Sequence, residues 1–231
     1  MTVVVGAAQG IGEGIARHLA STPWTERLVV ADINGPLVES VATDLRAAGH
    51  DVRAIPVDIA DDTSTRALIK ATADAERVAI VAGVFKAVPS LETSRADFER
   101  ILGVNLIGNF FVAQGYAQEM AERGQGSIVA IASIAARMPR MRQAAYCASK
   151  AGIRQAMRVL ALETVPRGVR INFVSPGPTV SVSGENFISA MTIVCVADAA
   201  NAPIPKPGCS RHANATNTAA TSVLVAAFGP Y

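Results

Sequence analysis

The stretch Val3-Val4-Val5-Gly6-Ala7-Ala8-Gln9-Gly10-Ile11-Gly12 decides the fold. Met1 to Gly6 is a short, β-branched apolar run, and Ile11 to Ala20 carries apolar residues at helical spacing, so the glycines mark a tight turn between a strand and a helix. Glycine there lets the backbone approach a ligand closely. The helix start adds unpaired N–H groups and the positive end of a dipole. A pyrophosphate suits both features, which makes Gly6, Gln9, Gly10, Ile11 and Gly12 a candidate dinucleotide-binding turn. A plain structural corner is the competing reading.

Downstream residues favour the dinucleotide. Arg27 to Ala31 reads as a second strand ending at Asp32, about twenty residues beyond the last motif glycine, where a carboxylate can accept both ribose hydroxyls of an adenosine. Such a carboxylate repels a 2'-phosphate, and Gln9 stands where a basic side chain could otherwise hold one, so NAD is expected over NADP. Asp32 could instead cap a helix from about Gly35 to Ala47. A third strand, Val52 to Val57, ends at Asp58, which fits either an adenine contact or a helix cap. Asp61 to Thr72 is helix-like, and Arg77 to Val81 is a fourth strand closing on Ala82-Gly83. This alternation predicts an α/β fold: a Rossmann-like, doubly wound parallel sheet in a single domain, covered on both faces.

Further along, Ser94 to Gly103 and Asn105 to Arg123 read as two helices, the second with an apolar face suited to a core or an oligomer interface. Asn105 is set among Leu102, Val104 and Leu106. A buried asparagine needs partners, so it serves either as a structural hydrogen-bonder or in a proton relay. Val169 to Ser175 is a sixth strand, and Pro176-Gly177-Pro178 breaks it at the carboxyl edge, where ligands bind in open α/β sheets. Thr179 and Ser181 follow there as hydrogen-bonding groups.

A catalytic centre is read from Tyr146-Cys147-Ala148-Ser149-Lys150, with Ser133 at the end of the apolar run Ser127 to Ala132. On a helix from about Tyr146 to Glu163, Tyr146 and Lys150 share a face one turn apart. A free phenol has a pKa of about 10 and exchanges protons poorly near neutrality; an adjacent ammonium favours the phenolate. Bringing it near neutrality takes about 4 kcal/mol of differential stabilisation, within reach of one close cation helped by a positively charged cofactor.

Composition sets the outer bounds. The 231 residues are 50% hydrophobic and 17% charged, ample for a sizeable core. A net charge of +2 without a basic, aromatic-laced run gives no electrostatic case for nucleic acid. Cys147, Cys195 and Cys209 have no paired spacing, and His18, His50 and His212 are scattered, so no metal site is expected. No window approaches the roughly 18 apolar residues of a membrane span, and no leader pattern opens the chain. A soluble cytoplasmic protein with reduced thiols is expected.

Together these residues resemble the short-chain dehydrogenase/reductase family over about residues 2 to 181. The glycine turn is similar to its TGxxxGIG, Asp32 and Asp58 to its adenosine contacts, Ser133 with Tyr146 and Lys150 to its serine and YxxxK, Asn105 to its helix asparagine, and Pro176-Gly177 to its PG motif. The resemblance implies that Tyr146 is the general acid/base, that Lys150 lowers its pKa and holds the nicotinamide ribose, that Ser133 binds the reacting oxygen, and that Asn105 relays protons. It places Ile59, Gly83 and Thr179 among the cofactor contacts, with Ser181 beside Thr179. It also implies a small-molecule substrate and a homo-oligomer, dimer or tetramer. The segment Ala132 to Tyr146 is similar to the 2,3-dihydro-2,3-dihydroxybenzoate dehydrogenases, which oxidise a cyclic diol carboxylate with NAD in siderophore synthesis. Arg140, or Arg142, would then meet the carboxylate, unless it is a solvated loop residue. A 3-oxoacyl-carrier-protein reductase or a non-catalytic cofactor-binding relic are the alternatives.

Departures from the family pattern are local until the end. Val5 replaces a threonine that would tie the turn to the fourth strand, and Ile80-Val81-Ala82-Gly83 stands where NNAG is usual. After Ser181 the substrate lid, a helix and the last strand of the family have no counterpart, and Ala199 to Thr221 is rich in Ala, Asn, Thr and Pro. Residues 182–231 are therefore expected to form an atypical, poorly ordered tail from a shifted frame or divergent terminus, leaving one sheet edge open. Translating the gene in its other frames tests this: a family-like ending should appear.

Overall fold

The computed structural model describes residues 1–177 and the backbone of Met191–Val194. Six parallel strands form the sheet: β1 (Thr2–Val5), β2 (Leu28–Asp32), β3 (Val52–Pro56), β4 (Arg77–Ile80), β5 (Gly126–Ile131) and β6 (Val169–Pro176). A short strand, β7 (Met191–Val194), adds to the edge, antiparallel to β6 and in register Val174 with Ile193. The order is β3-β2-β1-β4-β5-β6-β7. The helices are α1 (Gly10–Ala20), α2 (Gly35–Ala47), α3 (Asp62–Ala71), α4 (Arg95–Leu102), α5 (Asn109–Arg123) and α6 (Ala144–Thr164). The expected Rossmann-like α/β sheet is the observed one. The antiparallel β7 corrects the expectation that the tail supplies no strand: Met-Thr-Ile-Val is too short a run to show periodicity, although its composition suits an edge.

Strand β1 faces two cores because parallel sheets are covered on both sides. Val3 and Val5 pack with Val29, Val78, Ile80, Val112 and Tyr116, whereas Val4 packs with Ile15, Leu19, Val30 and Val41. The apolar face of α5 goes into the first of these, so Val112, Ala113, Tyr116, Ala117 and Met120 are core residues. Tyr116 is wholly buried, and its hydroxyl meets Thr72 Oγ1 at 2.6 Å while Thr72 donates to Leu68 O at 2.8 Å. This arrangement satisfies the one polar group of the ring.

Two helix starts decide against the capping alternatives. Asn34, not Asp32, caps α2 by accepting from Leu37 N at 3.1 Å, and Asp61, not Asp58, caps α3 by accepting from Ser64 N at 2.6 Å. Both carboxylates that end β2 and follow β3 are thereby released from capping. A difference from the sequence reading is that α4 does not break before α5; the two are joined by a π-helical turn over Gly103–Gly108, a one-residue insertion common at functional sites.

The strand order reverses between β1 and β4, and ligands in such sheets bind outside the carboxyl ends of the strands at that crevice. Gly6 sits there with φ of 88°. A Cβ on Gly6 would run into the backbone of Ala82. Gly6→Ala should therefore combine left-handed strain with overpacking, at a cost of at least about 2 kcal/mol. Urea unfolding measures it; a shift under about 0.5 kcal/mol would mean the turn does not press on β4.

Candidate active site

A cavity of about 500 Å³ runs along that crevice, within the range of small-molecule and cofactor sites. Its walls carry Gly6, Gln9, Gly10, Ile11 and Gly12 from the glycine turn, Asp32, Asp58, Ile59 and Gly83 from the ends of the strands, and Pro176 and Gly177 after β6. Ser133, Tyr146 and Lys150 close its other end. Thirteen of the fourteen sequence-predicted cofactor residues thus converge on one cavity; the fourteenth, Thr179, lies with Ser181 outside the described residues. Arg140 and Arg142 are exposed and line no part of the cavity.

The glycine turn is shaped for an anion. Gln9, the N-cap of α1, makes no side-chain capping bond, so the first N–H groups of the helix stay available to a ligand. A Cβ on Gly12 would collide with Gly6 O, which fixes glycine at the point where the helix start folds back on the turn. Asp32 braces the same region: its Oδ2 accepts from Ala8 N and its Oδ1 from Asn34 N, each at 3.0 Å. A carboxylate has about four lone-pair sites, so acceptor capacity remains for ribose hydroxyls. Asp58 Oδ1 accepts from Ala60 N at 2.9 Å, a local turn that aims the loop after β3 at the cavity.

The tie that a threonine at position 5 would make is replaced by backbone. Val81 N and Ala82 N both donate to Val5 O, at 2.8 and 3.0 Å, so the turn stays tied to the end of β4 without the absent hydroxyl. Asn105 is 0% exposed and grips Val84 on both sides, accepting from its N–H at 2.7 Å and donating to its carbonyl at 2.8 Å. Its Nδ2 also approaches Ser149 Oγ at 3.3 Å, and that hydroxyl donates to Tyr146 O at 2.8 Å. The sequence-predicted asparagine is thus a buried link between the cavity floor and the start of α6.

Tyr146 lies in the first turn of α6 and Lys150 one turn later. Ser133 follows β5 and accepts from Ala135 N at 3.1 Å, which orients its hydroxyl toward the cavity it shares with Tyr146. Lys150 is only 4% exposed, and its ammonium donates to Ile131 O at 2.8 Å. Burial pulls its pKa down to about 8. Burial also holds the Tyr146 phenol above its ordinary value, opposed by a hydrogen bond with Ser133. The lowered phenol expected from its lysine also called on the charge of an oxidised cofactor, which adds to this balance when bound. The ammonium sits 5.8 Å from the ring centroid, and in this dry pocket desolvation is the largest influence on each group.

One wall residue, Phe85, loosely fits the dihydrodiol dehydrogenase branch with Gly83-Val84 but carried no site role in the sequence reading. Phe85 lines the cavity 55% exposed and meets Tyr146 edge-on, ring centroids 5.1 Å apart at 89°. An isolated aromatic after a glycine gives no periodic signal, so only its position beside Gly83-Val84 could have flagged it. Among the described residues no cluster could hold a metal ion, and no helix is long and apolar enough to cross a membrane.

Comparison with known proteins is consistent with this geometry. The family model for short chain dehydrogenases matches residues 1–190. D-threitol dehydrogenase of Mycolicibacterium smegmatis is 37% identical over 180 residues, covering 76% of this chain and 68% of that protein. 2,3-Dihydro-2,3-dihydroxybenzoate dehydrogenase of Bacillus subtilis is 37% identical over 185 residues, with the same shares covered. Among solved structures, one described as an NAD(P) dependent gluconate 5-dehydrogenase from Beutenbergia cavernae, with NADP bound at low occupancy, superposes with a TM-score of 0.73 at 29% identity, covering 78% of this chain and 73% of that one.

Proposed function

The chain belongs to the short-chain dehydrogenases and is an oxidoreductase of that family, and from that premise we propose that it passes hydride between NAD and a secondary alcohol of a cyclic diol or polyol. The observation that carries the reading is the single cavity that joins the uncapped start of α1, Asp32, and the Ser133, Tyr146 and Lys150 group. The turn from Gly6 to Gly12 would hold the pyrophosphate, Asp32 the adenosine ribose, Asp58 and Ile59 the adenine, and Lys150 the nicotinamide ribose. Gly83, Pro176, Gly177 and Thr179 complete that set. A nicotinamide cofactor supplies the hydride acceptor and, when oxidised, a positive charge near the phenol. As the phenolate that the charge of an oxidised cofactor would favour, Tyr146 takes the hydroxyl proton of the substrate, Ser133 hydrogen-bonds the same oxygen, and Asn105 keeps the surrounding backbone in place. A substrate of the 2,3-dihydro-2,3-dihydroxybenzoate type is our best reading, supported by Ala132 to Tyr146 and by the B. subtilis relative; Arg140 would meet its carboxylate only if the loop around it folds inward. Siderophore synthesis, a cytoplasmic location, assembly as a homo-oligomer and an atypical 182–231 tail belong to the same proposal.

The cofactor half is tested with the wild type and Asp32→Ala. The wild type should favour NAD over NADP by tenfold or more in kcat/KM, and the variant should lose most of that preference, because a carboxylate facing a 2'-phosphate is the discriminating contact. Equal use of both cofactors by the wild type would overturn the NAD assignment. The substrate half is tested by a panel of cyclic dihydrodiols against acyclic polyols. Preference for the polyols would favour a sugar-alcohol dehydrogenase, the activity named for the M. smegmatis relative.

A further inference from the structure

We propose that Asn109 is a positioning residue that clamps the far end of the Ala82–Val84 segment and so sets the floor of the dinucleotide cavity; this rests on the functional reading above only for the identity of the ligand. Asn109 lies at the start of α5, 3% exposed, four residues after Asn105. Its Nδ2 donates to Ala82 O at 2.9 Å and to Asn105 O at 3.1 Å. Two carbonyl oxygens require the NH₂ side of the amide, so its orientation follows from chemistry. The π-helical turn explains the second bond. The backbone N–H of Asn109 runs to Val104 O and Leu106 O rather than to Asn105 O, and the Asn109 side chain takes the carbonyl that this N–H skips.

Asn105 and Asn109 thereby hold one segment at both ends, Asn105 at Val84 and Asn109 at Ala82. The segment is in tight quarters. Ala82 packs against Gly6, and a Cβ on Gly83 would sit 3.2 Å from Asn105 Oδ1 and 3.7 Å from Lys150 Nζ. A shift of Ala82 is therefore felt at the glycine turn, and a shift of Gly83 beside Lys150. The missing asparagines of Ile80-Val81-Ala82-Gly83 leave this strand end without side-chain anchors of its own, and Asn109 provides one from the facing helix. Its Oδ1 has no hydrogen-bond partner among the described residues, so the amide is retained at some expense in stability, as expected where placement of the site matters more than packing.

The test compares Asn109→Ala with Asn109→Ser. A serine hydroxyl can bond the carbonyl four residues back, Asn105 O, but cannot also reach Ala82 O. Hydrogen exchange of residues 80–86 and NAD affinity by calorimetry are measured for both. Both variants should show exchange at Ala82 and Val84 faster by tenfold or more and NAD bound about tenfold more weakly, while exchange at Val112–Met120 stays as in the wild type and kcat at saturating NAD changes less than threefold. Wild-type exchange at Ala82 and Val84 in Asn109→Ala, or recovered exchange and NAD affinity in Asn109→Ser, would overturn the proposal. If the wild type itself binds no NAD, the functional reading fails, and the exchange comparison still decides the clamp.

Discussion

Tyr146→Phe is expected to lower kcat/KM for diol oxidation by about a thousandfold while leaving NAD affinity within about threefold of the wild type. General acid–base catalysis contributes roughly 10²–10⁴ to such reactions, and the phenol lines the same end of the cavity as Ser133 and Lys150. The substitution removes one oxygen and keeps the ring, so the edge-on contact with Phe85 survives and the wall keeps its shape. Burial holds the phenol proton tightly in the cofactor-free protein. The ionised form is then favoured only when a cation enters the pocket, and release of the Tyr146 proton becomes coupled to binding of the oxidised cofactor. Activity of Tyr146→Phe within tenfold of the wild type would refute the proton-transfer role.

The second large effect separates function from stability. Lys150→Met should abolish measurable turnover yet raise the melting temperature at pH 7. In the wild type, burial lowers the lysine pKa from 10.5 to about 8; below pH 8 the folded protein must carry an ammonium in a dry site, at a cost of about 3 kcal/mol relative to the unfolded chain. The sign follows from proton counting. Between pH 8 and 10.5 the unfolded chain binds the proton that the folded chain releases, so this term makes the wild type gain stability as pH rises, and above 10.5 the cost is gone. Methionine never bears the charge, so its advantage in melting temperature should shrink across that window. It also forgoes the bond to Ile131 O, which reduces the advantage without changing its slope with pH. A difference that stays flat from pH 7 to 10.5 would show that the ammonium is not held at a cost.

The elements that place the site were legible because each carries a strong local signal: a β-branched run broken by glycine for β1 and α1, and alternating strands and helices through β4. Features that depend on a single residue's geometry were not. The π-helical turn over Gly103–Gly108 inserts one residue with no change in hydrophobic pattern, so one helix read as ending at Gly103 and the next as starting at Asn105. Asn109 drew no reading because it falls inside the helix read from Asn105, and only its spacing of four from Asn105 hinted at a shared face. Asp32 and Asp58 competed with Asn34 and Asp61 for the capping role, a contest settled by backbone angles that composition does not encode. For Tyr146, spacing reports the proximity of a cation but not the burial that opposes it. Thr179 and Ser181 lie beyond the described residues.

The central claim is that one cavity brings a bound dinucleotide and a substrate hydroxyl to Tyr146. Mixing the purified protein with NAD and a cyclic dihydrodiol carboxylate, and following absorbance of the reduced nicotinamide, tests it most directly. The account predicts one reduced nicotinamide for each diol consumed, and none with Tyr146→Phe on the same timescale. NAD bound by the wild type without any reduction across the panel of diols and polyols would contradict it.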